Sequence, residues 1–281
     1  MDYISTIFMG VLQGVAEFLP ISSSGHLALF QHFFGMKDFE SKQLFFTVML
    51  HFGTLVSIFI YYWRDILDMI REFFLGIASL FSRKGERERN NTPPARRLVL
   101  LIIVATLPLF VILPVKNLIE SATSNATFVS LALLATGFLL FFSDRLAKGR
   151  KTARTATLVD ALVVGCAQAV GTLPGISRSG ITISTGMLRG YDRSFAVRFS
   201  FLMSLPAVLG ATLLELKDSL EAGLDPAILP YCLVGMAIAA VVGYFAIRLV
   251  NLLASKGKFG VFAYYCWAVG AVSLVAGFVV K

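Results

Sequence analysis

Apolar positions in this chain of 281 residues come in long runs, not in the short periodic blocks of a soluble domain. The stretches 98–115 and 232–247 contain no charged residue. A helix needs about 20 mostly apolar residues to cross a hydrocarbon core of about 30 Å. Segments 43–63, 97–115, 127–144, 195–215, 229–250 and 260–280 meet or approach that length. Two further apolar segments, 3–35 and 157–188, are each broken near the middle. The breaks are Pro20-Ile21-Ser22-Ser23-Ser24-Gly25 and Pro174-Gly175-Ile176-Ser177-Arg178-Ser179-Gly180. Each half holds about 14 to 17 residues, too few to span at 1.5 Å per residue. Paired short helices with a polar turn read as a re-entrant hairpin, which needs protein or a water-filled cavity around the turn. The pattern predicts an all-α integral membrane protein with six transmembrane helices plus two re-entrant helix-turn-helix hairpins.

Charge supplies an orientation. If the loop 64–97 is cytoplasmic, the inner segments 64–97, 144–156, 189–198 and 248–258 hold 8, 5, 3 and 3 Lys or Arg. The outer segments hold only Lys37, Lys42, Lys116, Lys217 and Lys281, and the remaining basic residue is Arg178. This is the positive-inside bias, and it places both termini on the outer side of the membrane. Glu215, Asp218, Glu221 and Asp225 make the outer loop 215–225 acidic. Within the inner loop, Ile66, Met69, Ile70, Phe73, Phe74, Ile77 and Phe81 recur at helical spacing, predicting an interfacial helix. The tract 83–97 reads as a solvated, disordered loop.

Composition agrees. The chain is 57% hydrophobic and 15% charged, whereas soluble domains are about 25% charged. A net charge of +8 would suggest nucleic acid in a soluble chain. Here the basic loops account for it, so membrane lipids are the expected partners, with no nucleic acid. Cys166, Cys232 and Cys266 lie in apolar stretches and read as small hydrophobes, not as a disulfide or zinc framework. Met1-Asp2-Tyr3 lacks a basic n-region, so no cleavable signal is expected. Oligomeric state stays open, a homodimer included.

The two broken segments resemble each other. Gly10, Gln13, Ile21, Ser22, Ser24 and Gly25 recur 155 residues later as Gly165, Gln168, Ile176, Ser177, Ser179 and Gly180. One hairpin followed by three spans makes each half of the chain, about 1–144 and 157–281 of a single membrane domain. Three is odd, so the halves enter from opposite sides. That is an inverted-topology repeat, which places a site between broken helices near the midplane.

Each turn feeds a half-helix whose N-terminus carries unpaired N–H groups and partial positive charge, so two converging N-termini suit an anion. Gly25 and Gly180 would admit a ligand closely, and Ser22, Ser24, Ser177 and Ser179 add donors. Arg178 brings a fork that fits phosphate oxygens, and an intramembrane Arg reads as functional. Glu17 is the acidic residue well inside the predicted hydrocarbon, with Gln13 one turn earlier on the same face. Gln168 and Thr172 hold the matching face of the second hairpin. A carboxylate beside a polyphosphate calls for a bridging hard cation, Mg²⁺ or alternatively Ca²⁺, with Glu17 as its ligand. His26 could act as general base, activate Ser23, or attack phosphorus itself.

Structural readings stand beside these. Glu17 and Arg178 could simply lock the halves as a buried ion pair. His26 could be a core histidine bonded to a carbonyl, the serines could cap half-helices, and Thr182 could pack a helix. For His32 and His51 the structural reading is preferred, and Asp160 reads as an interface residue or cap.

The segment from Gln13 through Glu17-Phe18-Leu19-Pro20-Ile21-Ser22-Ser23-Ser24-Gly25-His26 resembles the first signature of the undecaprenyl-diphosphatase (bacitracin-resistance) family. Pro174-Gly175-Ile176-Ser177-Arg178-Ser179-Gly180-Ile181-Thr182 resembles its second. The resemblance covers the whole chain. It implies hydrolysis of undecaprenyl diphosphate, which recycles the lipid carrier of cell-wall synthesis and raises bacitracin tolerance. Carried over by position, Glu17 and Gln13 serve metal and substrate orientation. Ser23 and His26 form the nucleophile region, and Ser177, Arg178, Ser179 and Thr182 the diphosphate clamp. Gln13 leaves one carboxylate fewer than a Glu there, so no two-metal site is expected. Ser24-Gly25-His26 also resembles an element of the type 2 phosphatidic acid phosphatases, but those need a His after the later Arg, and this chain has none after His51. The rival reading is a polyprenyl-phosphate transporter or flippase, since broken inverted repeats are common in transporters.

Overall fold

A computed structural model describes residues 2–34, 40–80, 92–115, 119, 122, 125–221 and 226–279. The α-helices are α1 (Tyr3–Phe18), α2 (Ser23–Phe34), α3 (Glu40–Tyr61), α4 (Trp63–Leu80), α5 (Pro94–Thr106) and α6 (Ala126–Leu146). They continue with α7 (Leu158–Val170), α8 (Arg178–Leu188), α9 (Arg193–Glu221), α10 (Leu229–Ser255) and α11 (Val261–Val279). Among the described residues the only β pairing is a single bridge between Lys151 and Tyr191.

Both predicted hairpins are present, and their breaks have local causes. Asp2 caps α1 by accepting from Ser5 N at 2.8 Å, and Leu19 is extended because Pro20 follows it. Thr157 and Asp160 form a capping box on α7, so Asp160 is a cap, as expected. α7 stops at Gly171, three residues before Pro174.

Four helical stretches are long and apolar enough to cross a bilayer: Pro94–Val111, Ala126–Leu146, Arg193–Lys217 and Leu229–Ser255. α3 and α4 taken together, bent at their junction, supply a fifth, and α11, an apolar helix of 19 residues, corresponds to the sixth expected span. α4 turns 84° from α3. Its Leu67, Ile70, Phe73, Phe74 and Ile77 stay exposed, as a helix lying on the bilayer surface requires. Ile4, Ile7, Phe8 and Val11 of α1 and Val241, Phe245, Leu249 and Leu252 of α10 also face outward, giving an apolar exterior that suits lipid. Two expected boundaries move. The span 97–115 is α-helical only to Thr106 and then tightens into 3-10 turns over Leu107–Val111 and Leu113–Val115. Pro108 and Pro114 are the reason, since neither has an N–H to continue the helix. The helix expected at 195–215 runs on to Glu221, into the acidic loop. Of the tract 83–97, residues 83–91 lie outside the described residues.

Side-chain ties put the four expected inner segments at one end of the bundle. Arg198 pairs with Asp65, and Arg193 with Asp144. Arg97 Nη2 donates to Ala156 O at 2.8 Å, and Gly260 N donates to Asp144 Oδ2 at 2.8 Å. Asp160 is fully buried between Lys151 and Arg189.

Helices of the two halves pack against one another in matching pairs. α1 packs on α10, the second span of the other half, and α7 packs on α5, the equivalent helix of the first. Gly10 and Gly165 mark the equivalent contacts. A Cβ on Gly10 would meet Gly235 O at 2.9 Å, and one on Gly165 would strike Ala105.

Candidate active site

The two turns meet, and the same groups make the contact from both sides. A Cβ on Gly25 would lie 2.8 Å from Gly175 Cα, and one on Gly180 would lie 3.2 Å from Pro20 Cβ. At the repeat offset of 155 Pro20 is the counterpart of Gly175, so the two approaches join corresponding positions. The spacing of Gly25 and Gly180 predicts close approach of a ligand; the structure uses it for close approach of the opposite hairpin. Gly175 at φ +88° needs its glycine, whereas Ser22 adopts φ +66°, a strained value for a residue with a side chain.

Capping repeats as well. Ser22 Oγ accepts from Gly25 N at 3.1 Å, and Ser177 Oγ accepts from Gly180 N at 3.1 Å. Ser22 Oγ lies 3.5 Å from Ser24 Oγ, and Ser177 Oγ 3.2 Å from Ser179 Oγ. Ser22 and Ser177, expected as ligand donors, are thus helix caps in this state. Ser179 Oγ also reaches Leu19 O at 3.4 Å, tying the second turn to the first. The cap satisfies the third N–H of each half-helix; Ser23 and Ser24, and Arg178 and Ser179, carry the earlier N–H groups that point out of the helix end.

Ser23 and Arg178 are themselves counterparts at the offset of 155, each the first residue of its half-helix. Both touch one carboxylate. Arg178 Nη2 pairs with Glu17 Oε1, and Ser23 Oγ donates to Glu17 Oε2 at 3.4 Å. Gln13 Nε2 donates to the same Oε2 at 3.2 Å. The Glu17 side chain is 6% exposed and Arg178 29%, so the acid is enclosed while part of the guanidinium remains reachable. Flanking Ala16 and Phe18 are buried, and the Phe18 ring meets Phe201 edge-on with centroids 5.5 Å apart, which fixes the end of α1. Glu17, Phe18, Arg178 and Ser179 line a small recess together with Ser200, Phe201 and Ser204 of α9. Thr182 stands behind these lining residues and bonds two of them. Its Oγ1 donates to Arg178 O at 2.8 Å and lies 2.6 Å from Ser200 Oγ, which supports the first turn of α8.

His26 sits apart from this cluster. Its Nδ1 lies 2.8 Å from Ser22 O and its Nε2 2.8 Å from Tyr265 OH. Both ring nitrogens have partners, and neither partner is Ser23. His51, read as structural in the sequence, instead joins the cluster: its Nδ1 lies 3.2 Å from Gln13 Nε2 and 3.9 Å from Glu17 Oε2. The signal was available, because an ionisable side chain in the middle of a span marks a site. Ser200, Ser204 and Tyr265 left no such signal, being common residues on long helices. Gln168, the counterpart of Gln13, is fully buried, and among the described residues neither of its amide atoms has a hydrogen-bond partner.

Among the described residues no three His, Cys, Asp or Glu side chains gather as a metal-binding group. The groups joined directly around Glu17 bring one carboxylate, one amide and the Ser23 hydroxyl. Such a set suits a hard cation that takes most of its ligands from substrate phosphate and water, not a closed protein cage.

A family model described as "Bacitracin resistance protein BacA" matches residues 6–272. A protein named undecaprenyl-diphosphatase from Alkaliphilus metalliredigens is 41% identical over 276 residues, 98% of each chain. One of the same name from Halothermothrix orenii is also 41% identical over 98% of each chain. A third, from Methanosphaera stadtmanae, is 37% identical over 277 residues and 98% of each chain.

Proposed function

Because the chain belongs to the bacitracin-resistance (BacA) family, we propose that it hydrolyses undecaprenyl diphosphate to undecaprenyl phosphate and inorganic phosphate. That recycles the lipid carrier of cell-wall synthesis in the cell membrane and gives bacitracin tolerance. The observation that carries the reading is the single Glu17–Arg178 pair where two capped half-helices meet.

The polyprenyl tail stays among the lipid-facing helices, and the diphosphate enters between the hairpins. Arg178 exchanges the Glu17 carboxylate for phosphate oxygens, which match its planar fork. The N-termini of α2 and α8 add positive potential where charge grows on the leaving lipid phosphate. Exchange of Arg178 frees Glu17, whose Oε2 already accepts from Ser23. Glu17 takes the Ser23 proton while Oγ attacks the terminal phosphorus and the bridging P–O bond breaks. Water then releases inorganic phosphate from Ser23. Geometry favours Ser23 over His26 as the attacking group, because Ser23 touches the carboxylate and His26 is held by Tyr265. Glu17, with Gln13 and Ser23, would hold a divalent cation, which supplies charge neutralisation of the diphosphate when bound.

The test is phosphate release from a polyprenyl diphosphate in detergent, with and without chelator. Release without two compartments separates hydrolysis from transport. Chelation is expected to abolish release and added Mg²⁺ or Ca²⁺ to restore it; full activity in chelator would remove the cation from the scheme. No release of phosphate at all would remove the function.

A further inference from the structure

His51 stands midway along α3 and brings a titratable side chain to the Glu17 cluster from outside both hairpins. The Gln13 amide nitrogen lies 3.2 Å from His51 Nδ1 and 3.2 Å from Glu17 Oε2. An amide nitrogen has two hydrogens and accepts nothing, and a carboxylate only accepts. One hydrogen therefore goes to Glu17 and the other to His51, whose Nδ1 must be the bare nitrogen with the ring proton on Nε2. A half-turn of the amide would set Gln13 Oε1 against Glu17 Oε2, two acceptors face to face. The network thus permits one amide orientation, and it leaves Oε1 unused by either neighbour.

The second hairpin provides a contrast within the same chain. There Thr172 replaces the carboxylate and bonds Ala169 O at 2.7 Å, and among the described residues neither atom of the Gln168 amide has a hydrogen-bond partner. The amide is fixed only where a carboxylate and a histidine flank it.

We propose that His51 is a positioning residue of the diphosphatase site: it fixes the face of the Gln13 amide, and through it holds Glu17 Oε2 toward Ser23. This rests on the functional reading above. The experiment measures phosphate release from a polyprenyl diphosphate in detergent for His51→Leu, His51→Gln, His51→Asn, Gln13→Leu, Gln13→Leu with His51→Leu, and Glu17→Ala. Asn can place an acceptor where Nδ1 was; Gln reaches past that point, and Leu fills the space without an acceptor. His51→Leu and His51→Gln are expected to lose about 10- to 100-fold in kcat/KM, as removal of an orienting partner does at metal and catalytic sites. His51→Asn is expected to recover most of that loss, and the double variant to be no worse than Gln13→Leu alone, because both changes break one link. Equal melting temperatures for the Asn and Gln variants keep folding out of the comparison. Equal losses for Asn and Gln, additive losses with Gln13→Leu, or near-normal turnover of His51→Leu each overturn the proposal. Turnover retained by Glu17→Ala overturns the site reading instead, whatever the His51 variants do.

Discussion

The two hairpins share a frame and differ in cargo. Ser22, Ser24 and Gly25 have counterparts of the same type in Ser177, Ser179 and Gly180, and they make the same caps at the same 3.1 Å. The differences in charge fall at the Glu17–Arg178 pair: Glu17 stands against Thr172 and Arg178 against Ser23. Capping and close approach are needed twice, since each half-helix must end inside the membrane with its first N–H groups satisfied. Charge is needed once. A two-fold copy of the pair would put a second carboxylate at 172 and a second guanidinium at 23, so a frame that carries one ion pair must differ between its halves at those two positions.

The largest test of this division is at the pair. Glu17→Gln and Arg178→Ala should each lower phosphate release by about 10³-fold or more, as loss of a preorganised electrostatic group does. If the pair were only a lock between halves, exchanging the partners (Glu17→Arg with Arg178→Glu) would restore activity. We expect the exchange to restore folding, read by thermal melting, and not turnover, because the cation must sit at the half-helix N-terminus with phosphate.

Ser23→Ala comes next. It should reduce release by about 10²-fold or more with little change in stability, whereas Ser177→Ala, which removes a cap, should cost about 1 kcal/mol of stability. Similar behaviour of the two variants in both measurements would erase the distinction between cargo and frame.

The amides give a smaller and opposite pair. Gln13→Leu removes a donor to Glu17 and should impair turnover. Gln168→Leu removes a buried amide without partners, and should leave melting unchanged or raise stability by about 1 kcal/mol. A strongly destabilised Gln168→Leu would mean that the amide is satisfied in the folded protein.

The smallest difference is expected at the glycines, which belong to the frame. Gly25→Ala and Gly180→Ala should both destabilise by about 1–3 kcal/mol through overpacking. Gly25→Ala should be the worse, since its Cβ would meet the Gly175 backbone at 2.8 Å, while a Cβ on Gly180 would meet side chains, Ser177 Cβ at 3.0 Å and Pro20 Cβ at 3.2 Å.

Much of this was legible from residues. Pro20 and Pro174 with their Ser-Gly runs disclose the breaks, because a proline and a cap act on their immediate neighbours. Arg178 and Glu17 disclose the site, because charge at membrane depth is costly unless used. Pro108 also lies in the sequence, yet its effect was missed: apolar content masked the change from α to 3-10 turns. His51 reads as structural from the sequence, because its contacts depend on what faces it across the bundle.

By itself the sequence determined the helices, the two interruptions, the repeat offset and the single charges each half carries, since all follow from neighbours in the chain or from the preference of charge for water. Only the tertiary structure decided that Gly25 and Gly180 serve the hairpins' own contact, that His26 turns to Tyr265, and that His51 closes on Gln13 and Glu17. Those outcomes depend on side chains from helices distant in sequence meeting within about 3 Å, a hydrogen-bond requirement that no local pattern encodes.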